Sequence, residues 1–164
     1  MQRIAIVGSG GAGKTTFALA CSKATGLPVI HLDEYFWHPG WIESDPEEWR
    51  AVQANLLKGD KWIVDGNYGD TLDLRLSLAD IIIWLDFPRS LCLLGAARRT
   101  LFNFGRPMQA AGCPERFDLE FYKWIWNFRK ESRPKLVGAI ARYGGKSDVL
   151  RFKSRREARR FLRK

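Results

Sequence analysis

The sequence predicts an α/β fold, in which about five parallel strands form one sheet that carries helices on both faces and a short lid. The main observation is that short apolar runs alternate with segments of helical periodicity along the 164 residues. The first four runs are apolar at nearly every position, as expected for strands that are covered on both faces. No linker, repeat or low-complexity tract divides the chain, so we expect a single domain over residues 1–164.

Five runs have the length and composition of strands: 3–7, 29–32, 62–64, 81–85 and 148–150. The first is rich in β-branched residues and ends in glycine. The second and third are each followed directly by an aspartate. The fourth is the most apolar run in the chain, and the fifth is short and precedes a basic segment. Their spacing leaves room for a helical crossover between successive strands, which favours parallel pairing.

Helical periodicity covers 14–25, 46–58, 71–78, 88–102, 116–131, a further piece up to 143, and a basic segment after 154. Gly26 ends the first of these helices, and Asp45 is the expected cap of the second. We expect Pro134 to interrupt the helical pattern that begins at 116. Ser154 and Glu157 form a capping box that begins the last helix.

Two segments are predicted to be irregular. Residues 33–45 contain a proline, a glycine and several aromatic residues, and read as a loop. Residues 103–116 are broken by two glycines and two prolines, and read as a short mobile lid. The apolar residues beyond the lid recur with helical spacing and are predicted to face the core: Phe117, Phe121, Trp124, Ile125 and Phe128.

The net charge of +9 is concentrated at one end of the chain. Residues 1–128 contain 13 Lys/Arg and 15 Asp/Glu, whereas residues 129–164 contain 14 Lys/Arg and 3 Asp/Glu. A basic tail of this kind is either a solvated face or a surface that attracts nucleic acid or another polyanion.

Three further features limit the function classes. The three cysteines are widely spaced and do not form a metal-site pattern with the two histidines, so we expect buried, reduced thiols. No apolar run is long enough to cross a membrane. The apolar stretch near the N-terminus is too short for a signal peptide. We therefore expect a cytoplasmic protein with no membrane partner.

The pattern G-x-x-x-x-G-K-[ST] is matched completely by residues 8–15, which follow a strand and begin a helix. Glycines let the backbone approach phosphate oxygens, and the amides at the helix N-terminus point at the anion. The alternative is a glycine turn with only a structural role. We expect a nucleotide to be bound by Gly8, Ser9, Gly10, Gly11, Ala12, Gly13, Lys14, Thr15 and Thr16, with Lys14 reaching the β- and γ-phosphates and Thr15 ligating Mg²⁺.

The two aspartates that follow strands, Asp33 and Asp65, are candidates for chemistry. In a parallel sheet the carboxyl ends of strands lie at the ligand-binding edge. Two carboxylates near one triphosphate suit one Mg²⁺ site and one acceptor site. The structural alternative is that both are local caps. The N-K-x-D motif that reads guanine in Ras-type GTPases is absent from the sequence.

The order of these motifs resembles that of the adenylate-kinase-like small-molecule kinases, over nearly the whole chain. Residues 31–41 (HLDEYFWHPGW), 62–68 (WIVDGNY) and 124–126 (WIW), with a later Arg-Pro at 133–134, resemble more closely the bacterial topology modulation proteins. The lid is short and lacks zinc-type cysteines. The segment after the third strand lacks the arginine that recognises AMP in adenylate kinases, which argues against AMP as the acceptor.

The resemblance implies roles for individual residues. Asp33 matches the aspartate that accepts the proton of the attacking hydroxyl in uridine-kinase-type enzymes. Asp65 matches the acid that positions Mg²⁺ through water. Arg98 and Arg99 match arginines that neutralise the transferring phosphoryl group, and Arg106 lies in the expected lid. With Lys14, residues Asp33, Arg98 and Arg99 form the expected catalytic set.

The residues expected to contact the acceptor are Asp33, Tyr35, Trp37, Asp65, Asn67 and Arg106. The aromatic residues could stack on a base or sugar, or could plug the loop against the body of the protein. The expected function is transfer of the γ-phosphoryl of Mg-ATP to a nucleoside, a nucleotide or another hydroxyl metabolite. The alternatives are a nucleic-acid-binding ATPase or regulatory protein that uses the basic tail, and a nucleotide-binding module without chemistry.

Overall fold

The fold is described from a computed structural model that covers residues 2–163; Met1 and Lys164, the two ends of the predicted domain, lie outside the described residues. The strands are β1 (Arg3–Gly8), β2 (Val29–His31), β3 (Trp37–His38), β4 (Ile42–Glu43), β5 (Trp62–Asp65), β6 (Ile81–Leu85) and β7 (Asp148–Phe152). The α-helices are α1 (Lys14–Thr25), α2 (Asp33–Phe36), α3 (Pro46–Leu56), α4 (Leu72–Leu76), α5 (Arg89–Asn103), α6 (Leu119–Tyr143) and α7 (Arg155–Phe161). Single 3₁₀ turns lie at Gly69–Thr71 and Gly144–Lys146.

The main sheet has five strands in the order β2-β5-β1-β6-β7, and every neighbouring pair is parallel. The five predicted strands are these five, so the predicted α/β sheet is confirmed. Because all five strands run the same way, the carboxyl ends of β1, β2 and β5 meet at one edge. That edge carries the glycine-rich loop after β1 and both candidate aspartates.

Apolar side chains fill the space on both sides of the sheet. On one side Ile4, Ile6 and Ile83 pack with residues of α1, α5 and α7. On the other side Ala5 and Val7 pack with residues of α3, α4 and α6. The alternation of odd and even positions along β1 places one set in each core. The nearly continuous apolar character of the strands in the sequence follows from this double coverage.

Helix α6 corrects one prediction. Pro134 was expected to interrupt the helix, but α6 is one helix of 25 residues that includes Pro134 and continues to Tyr143. A proline inside a helix removes one backbone hydrogen bond and is unfavourable by roughly 3 kcal/mol. Phe128 and Leu136, one on each side of Pro134, are both buried against the sheet. Their packing keeps the two halves of α6 in line across the proline.

Two further predictions near loops are wrong. Phe117 was expected in the core, but α6 begins only after Asp118, whose carboxylate accepts hydrogen bonds from the backbone N–H groups of Glu120 and Phe121. Phe117 therefore precedes the helix and is exposed. Residues 33–45 were expected to be a loop, but they contain α2 and the β3–β4 hairpin. Both elements are too short to show a periodic pattern in the sequence.

The cysteines agree with the prediction, because Cys21, Cys92 and Cys113 are all buried free thiols. Burial raises the pKa of the Cys21 thiol to about 11. Among residues 2–163, no helix has the length and apolar character needed to pass through a bilayer.

A buried carboxylate connects β6, α6 and β7. Asp86 follows β6, and its two oxygens accept hydrogen bonds from Nε and Nη2 of Arg133, each at 3.0 Å. Arg151 donates to the same carboxylate from β7. Both guanidinium groups also lie over the ring of Trp84, at 5.1 and 4.6 Å from its centroid. Burial opposes ionisation of Asp86, but the arginine hydrogen bonds outweigh it and lower its pKa.

We expect Asp86→Asn to lower the free energy of unfolding by about 2–4 kcal/mol, because it removes the charge that holds two arginines. Since the pKa of Asp86 is lowered from 3.8 on folding, its contribution is present above that value. It is lost as the pH falls through the lower folded-state pKa. The difference between native protein and variant in urea denaturation should therefore shrink on acidification below pH 3.8.

The matched control is Asp60→Asn, because Asp60 also pairs with an arginine, Arg3, but is 88% exposed. Exposed ion pairs contribute little, so the control should change stability by less than about 1 kcal/mol. Equal effects of the two substitutions at pH 7 would contradict a structural role for Asp86.

Candidate active site

The loop between β1 and α1 has the backbone that phosphate binding requires. Gly8, Gly11 and Gly13 have φ values of 147°, 70° and 88°, which residues with a side chain rarely adopt. Gly13 is the residue before α1, and no side-chain cap occupies the first turn of that helix. The N–H groups at the start of α1 are thus free to bind an anion.

The loop is pressed closely between its neighbours. A Cβ on Gly8 would lie 2.6 Å from the carbonyl oxygen of Leu85, and one on Gly11 would lie 2.0 Å from that of Cys92. From the other side, a Cβ on Gly95 of α5 would lie 2.1 Å from the carbonyl oxygen of Gly11. Helix α5 can approach the loop only because both facing residues are glycine.

Two aromatic rings of α6 cover the remaining side of the loop. A Cβ on Gly10 would lie 2.6 Å from Cζ of Phe121 and 3.0 Å from Cζ3 of Trp124. The two rings are stacked, with centroids 5.8 Å apart. Phe121 and Trp124 were predicted to belong to the core. They are partly buried and pack against both the core and the phosphate-binding loop.

Lys14 lies folded back on its own loop. Its Nζ donates to the carbonyl oxygens of Gly8 at 3.0 Å and Ser9 at 2.9 Å. Burial lowers the pKa of Lys14, Arg99 lowers it further, and the carboxylates of Asp33 and Asp65 act in the opposite direction. The ammonium group is therefore held by two neutral carbonyls, at a position from which it can turn to an anionic ligand.

Asp65 joins the ends of three elements. One carboxylate oxygen accepts a hydrogen bond from the Thr15 hydroxyl at 2.9 Å, and the other is 2.7 Å from Nδ1 of His31. His31 and Asp65 are register partners in the β2–β5 pair. The hydrogen bond with Asp65 raises the pKa of His31, although burial opposes it. The carboxylate is 5% exposed and held in one orientation by these two contacts.

Asp33 lies beside this group and remains exposed. It is the first residue of α2, and its Oδ1 accepts a hydrogen bond from the Tyr68 hydroxyl at 2.5 Å. Burial and the neighbouring Asp33 carboxylate together raise the pKa of Tyr68. Tyr68 thus stays a neutral hydrogen-bond donor. Its hydrogen bond goes to Oδ1, and Oδ2 of Asp33 has no hydrogen-bond partner among the described residues.

A buried arginine, Arg75, forms a hydrogen bond with the backbone of Tyr68. Arg75 is 1% exposed, and its guanidinium donates to the carbonyl oxygen of Tyr68, to Gln53 and to Thr71. No carboxylate among the described residues accepts a hydrogen bond from Arg75, so its positive charge is held by neutral groups. Burial lowers the pKa of Arg75 to about 10. The network fixes the turn from which the Tyr68 side chain reaches Asp33.

The segment predicted to be a lid, residues 103–116, forms an irregular hairpin over this edge. Its base is closed by backbone hydrogen bonds from Gly105 to Glu115 and from Glu115 to Arg106. Near its tip, the Gln109 amide is 3.3 Å from the Thr15 hydroxyl. This contact places the segment against the phosphate-binding loop.

The same segment contacts the β3–β4 hairpin. Trp41 donates from its indole to the carbonyl oxygen of Pro114 at 3.0 Å, and the backbone N–H of Gly40 donates to Gly112 at 3.0 Å. Trp41 has φ 65°, an unfavourable value for a bulky residue. Trp37 packs edge-on against Trp41, at 5.5 Å between centroids. Tyr35, the other predicted aromatic contact for the acceptor, is exposed on α2.

The predicted arginines lie in different environments. Arg99 is half-buried, with Nε 2.9 Å from the buried carboxylate of Glu115 and its guanidinium over Phe121. Arg98 is exposed on α5, over the ring of Phe102. Arg106 is exposed at the base of the lid segment. The charge of Arg99 helps to lower the pKa of Lys14. The side chains of Arg98 and Arg106 have no described contact with the phosphate-binding loop.

The structure therefore brings Lys14, Thr15, Asp33, Asp65 and Arg99 together at one edge of the sheet. Thr16 is exposed at the start of α1, and Asn67 is partly buried just after β5. Sequence reasoning missed the partner residues His31, Tyr68 and Glu115. His31 could have been found if β2 had been placed beside β5, because residues at matching positions would then be neighbours. Nothing in the sequence indicated the other two.

The donor set fits a bound Mg²⁺-nucleotide. Asp65 accepts the hydrogen bond of the Thr15 hydroxyl, and Gln109 donates to the same oxygen, which leaves one lone pair of Thr15 for a cation. Within residues 2–163, no group of three or more His, Cys, Asp or Glu side chains could hold a metal ion by itself. Mg²⁺ in phosphoryl-transfer sites is typically bound by one or two protein ligands together with substrate phosphates and water. The loop and its helix N-terminus supply the matching phosphate cradle.

Comparisons with known proteins agree with this geometry at the level of the fold. No family model matches the chain. The chain is 28% identical over 130 residues to the uncharacterized protein YqaC of Bacillus subtilis (strain 168), and the match covers 75% of this chain and 70% of that protein.

Two solved structures superpose on almost the whole chain. A shikimate kinase from Acinetobacter baumannii, in complex with shikimate, has a TM-score of 0.67 and 16% identity over 99% of this chain and 89% of its own. A sugar kinase from Janibacter sp. HTCC2649 has a TM-score of 0.55 and 14% identity over 99% of this chain and 91% of its own. The protein therefore has a P-loop kinase fold.

The close approach of α5 to the loop can be tested with a pair of helical glycines. We expect Gly95→Ala to destabilise the protein by about 1–3 kcal/mol, because its Cβ would meet a backbone oxygen that cannot rotate away. Gly138→Ala is the control, since a Cβ at Gly138 of α6 would have no neighbouring atom within 4 Å. It should stabilise the helix by up to about 1 kcal/mol. Urea denaturation of both variants measures the contrast, and equal shifts would contradict the packing.

Proposed function

We propose that the protein is a small-molecule kinase that transfers the γ-phosphoryl group of Mg-ATP to a hydroxyl group of a small acceptor. The observation that carries this proposal is the convergence of a phosphate-binding loop, a Thr15–Asp65 pair and an open carboxylate, Asp33, at one sheet edge. A structural glycine turn would not require carboxylates around its lysine.

The loop amides and the N-terminus of α1 would hold the β- and γ-phosphates. Lys14 would leave the carbonyl oxygens of Gly8 and Ser9 and bind phosphate oxygens instead. Thr15 would ligate Mg²⁺ directly and Asp65 through water, and Mg²⁺ would neutralise charge that develops between the phosphates. His31 would keep the Asp65 carboxylate oriented.

Asp33 would accept the proton of the attacking hydroxyl. The bond between γ-phosphorus and its bridging oxygen breaks, ADP leaves, and the acceptor oxygen forms the new bond to phosphorus. Because Tyr68 holds Oδ1 of Asp33, Oδ2 faces the acceptor. Positioning and charge stabilisation supply most of the rate in such reactions.

Arg99 would stabilise the transferring phosphoryl group, since it lies close enough to Lys14 to help lower the pKa of that lysine. Its pairing with Glu115 ties it to the base of the lid segment. Arg98 and Arg106 would contact the phosphoryl group only after their exposed side chains turn toward the phosphate-binding loop. The lid segment, through Gln109, would exclude water from the Thr15 region.

The acceptor side of the site would be formed by Asp33, Asn67 and the aromatic residues Tyr35 and Trp37. A nucleoside, a nucleotide or another hydroxyl metabolite would satisfy these groups. The resemblance to the topology modulation proteins stays a prediction, as does a nucleoside- or nucleotide-type substrate. The chain would act as one kinase domain with residues 103–116 as its lid.

The second candidate, a nucleic-acid-binding ATPase, rests on the basic tail. Arg156, Arg159, Arg160 and Arg163 are exposed on or after α7. Two other arginines of the tail form hydrogen bonds within the protein. Arg151 donates to the Asp86 carboxylate, and Arg155 donates to the carbonyl oxygen of Leu91. The four exposed arginines would bind phosphates without base recognition.

The proposal predicts that Mg-ATP is converted to ADP when the correct acceptor is present. A coupled ADP-release assay against nucleosides, nucleoside monophosphates and small hydroxyl metabolites tests this. We expect Lys14→Ala to abolish acceptor-stimulated release. Asp33→Asn should lower kcat by at least about 100-fold, because general-base catalysis is lost, while ATP affinity stays within a few-fold.

Asp60→Asn serves as the control for Asp33→Asn, because Asp60 is an exposed carboxylate remote from the loop in sequence. Loss of ATP binding in a folded Asp33→Asn protein would contradict its role as base. Release that is flat across the small molecules and stimulated only by DNA or RNA would favour the second candidate.

A further inference from the structure

A cavity of about 160 Å³ lies between the 67–72 segment and α6. Buried Leu72 and Leu136 give it an apolar floor, and Trp124 forms one wall. Polar side chains line the rest of it: Asn67, Asp70, Ser132 and Lys135. A concave site with apolar walls and a few polar groups is typical of small-molecule binding.

Asn67, one of the residues that line this cavity, carries a polar atom without a hydrogen-bond partner. Its side-chain oxygen is buried and accepts no hydrogen bond from the described residues. A buried carbonyl oxygen without a donor is unfavourable, so a ligand that supplies an N–H or O–H would be favoured here. Ser132 accepts a hydrogen bond from the Trp124 indole at 3.2 Å, which leaves its own proton free to donate.

The charges of the cavity balance. Asp70 and Lys135 are both exposed, and neither takes part in an ion pair within residues 2–163. A ligand carboxylate or phosphate that bound Lys135 would be repelled by Asp70. A cationic ligand that bound Asp70 would be repelled by Lys135. The balance favours a ligand without net charge whose groups both donate and accept hydrogen bonds.

The cavity is also close to the reaction centre. Trp124 lines it and, with its Cζ3 atom, contacts the Gly10 side of the phosphate-binding loop. Asn67 lies two residues after Asp65 in the chain. The residue that follows it is Tyr68, whose hydroxyl donates to Asp33. A molecule with one hydroxyl at Asp33 could place its remaining groups in the cavity.

From these contacts we propose that the cavity binds the non-reacting part of the acceptor, and that the acceptor is an uncharged polyhydroxylated metabolite, a polyol or a sugar. Hydroxyl groups donate to Asn67 and Asp70 and accept from Lys135 and Ser132, and the C–H face of the molecule packs on the Trp124 ring. The reacting hydroxyl loses its proton to Asp33 as the phosphoryl group arrives. This assignment rests on the proposed kinase function.

Binding is measured separately from transfer. Saturation-transfer NMR of the full chain without nucleotide uses myo-inositol, D-ribose and D-glucose as probes, with D-gluconate and D-ribose 5-phosphate as anionic counterparts. We expect binding of at least one uncharged probe and weaker binding of the two anionic probes. Lys14→Ala, which lacks transfer, should bind the uncharged probe as the native protein does.

The variants Asn67→Ala and Lys135→Met should raise the dissociation constant, or the acceptor KM, by about tenfold or more, because each loses a hydrogen bond to the ligand. Lys130→Met is the matched control, since Lys130 is an exposed lysine of α6 outside the cavity. It should leave both values unchanged. Thermal melts of all variants check that each one is folded.

Each result bears on one of the two proposals. ADP release with an acceptor whose KM is the same in Lys135→Met, Asn67→Ala and Lys130→Met would overturn the cavity assignment and leave the kinase intact. Preference for the anionic probes, or no binding of any probe, would also overturn it. Binding of an uncharged probe that the variants weaken, with no ADP release, would uphold the cavity and contradict the kinase.

Discussion

The close contact of the phosphate-binding loop with three neighbouring elements is the constraint on which the site depends. Leu85 of β6, Cys92 of α5 and the aromatic rings of α6 occupy the space in which side chains at Gly8, Gly11 and Gly10 would lie. These contacts hold the loop backbone in the shape that an anion requires. The glycines are thus needed for packing as well as for phosphate approach, and α5 meets the loop only because Gly95 faces it.

The placement of β2 beside β5 organises the charges around that loop. It brings the His31 ring to Asp65 and the Tyr68 hydroxyl to Asp33, so each carboxylate has a dedicated partner. Asp65 is buried and fully engaged, whereas Asp33 keeps an open oxygen. The different surroundings of the two aspartates support the proposal that they have different tasks, one toward Mg²⁺ and one toward the acceptor. Mutual attraction with Lys14 adds to their positioning.

The β3–β4 hairpin and the 103–116 segment form a continuous cover beside the loop. Trp41 keeps an unfavourable backbone conformation while its indole donates to Pro114, so the contact between the hairpin and the 103–116 segment offsets local strain. No residue of this cover is among those that line the cavity between Asn67 and α6. An acceptor held there would approach Asp33 along the Tyr68 turn, and the nucleotide would lie on the α1 side.

The sequence by itself determined the five strands, the bounds of α1, the glycine-rich loop and the edge on which Asp33 and Asp65 lie, because these follow from signals within a few residues. Only the tertiary structure decided which strands are neighbours, and hence that His31 meets Asp65. It also decided that α6 continues through Pro134, since burial of Phe128 and Leu136 outweighs a local break. In the same way, long-range packing of α6, which no local pattern encodes, brought Phe121 and Trp124 to the phosphate-binding loop and Lys135 to the cavity.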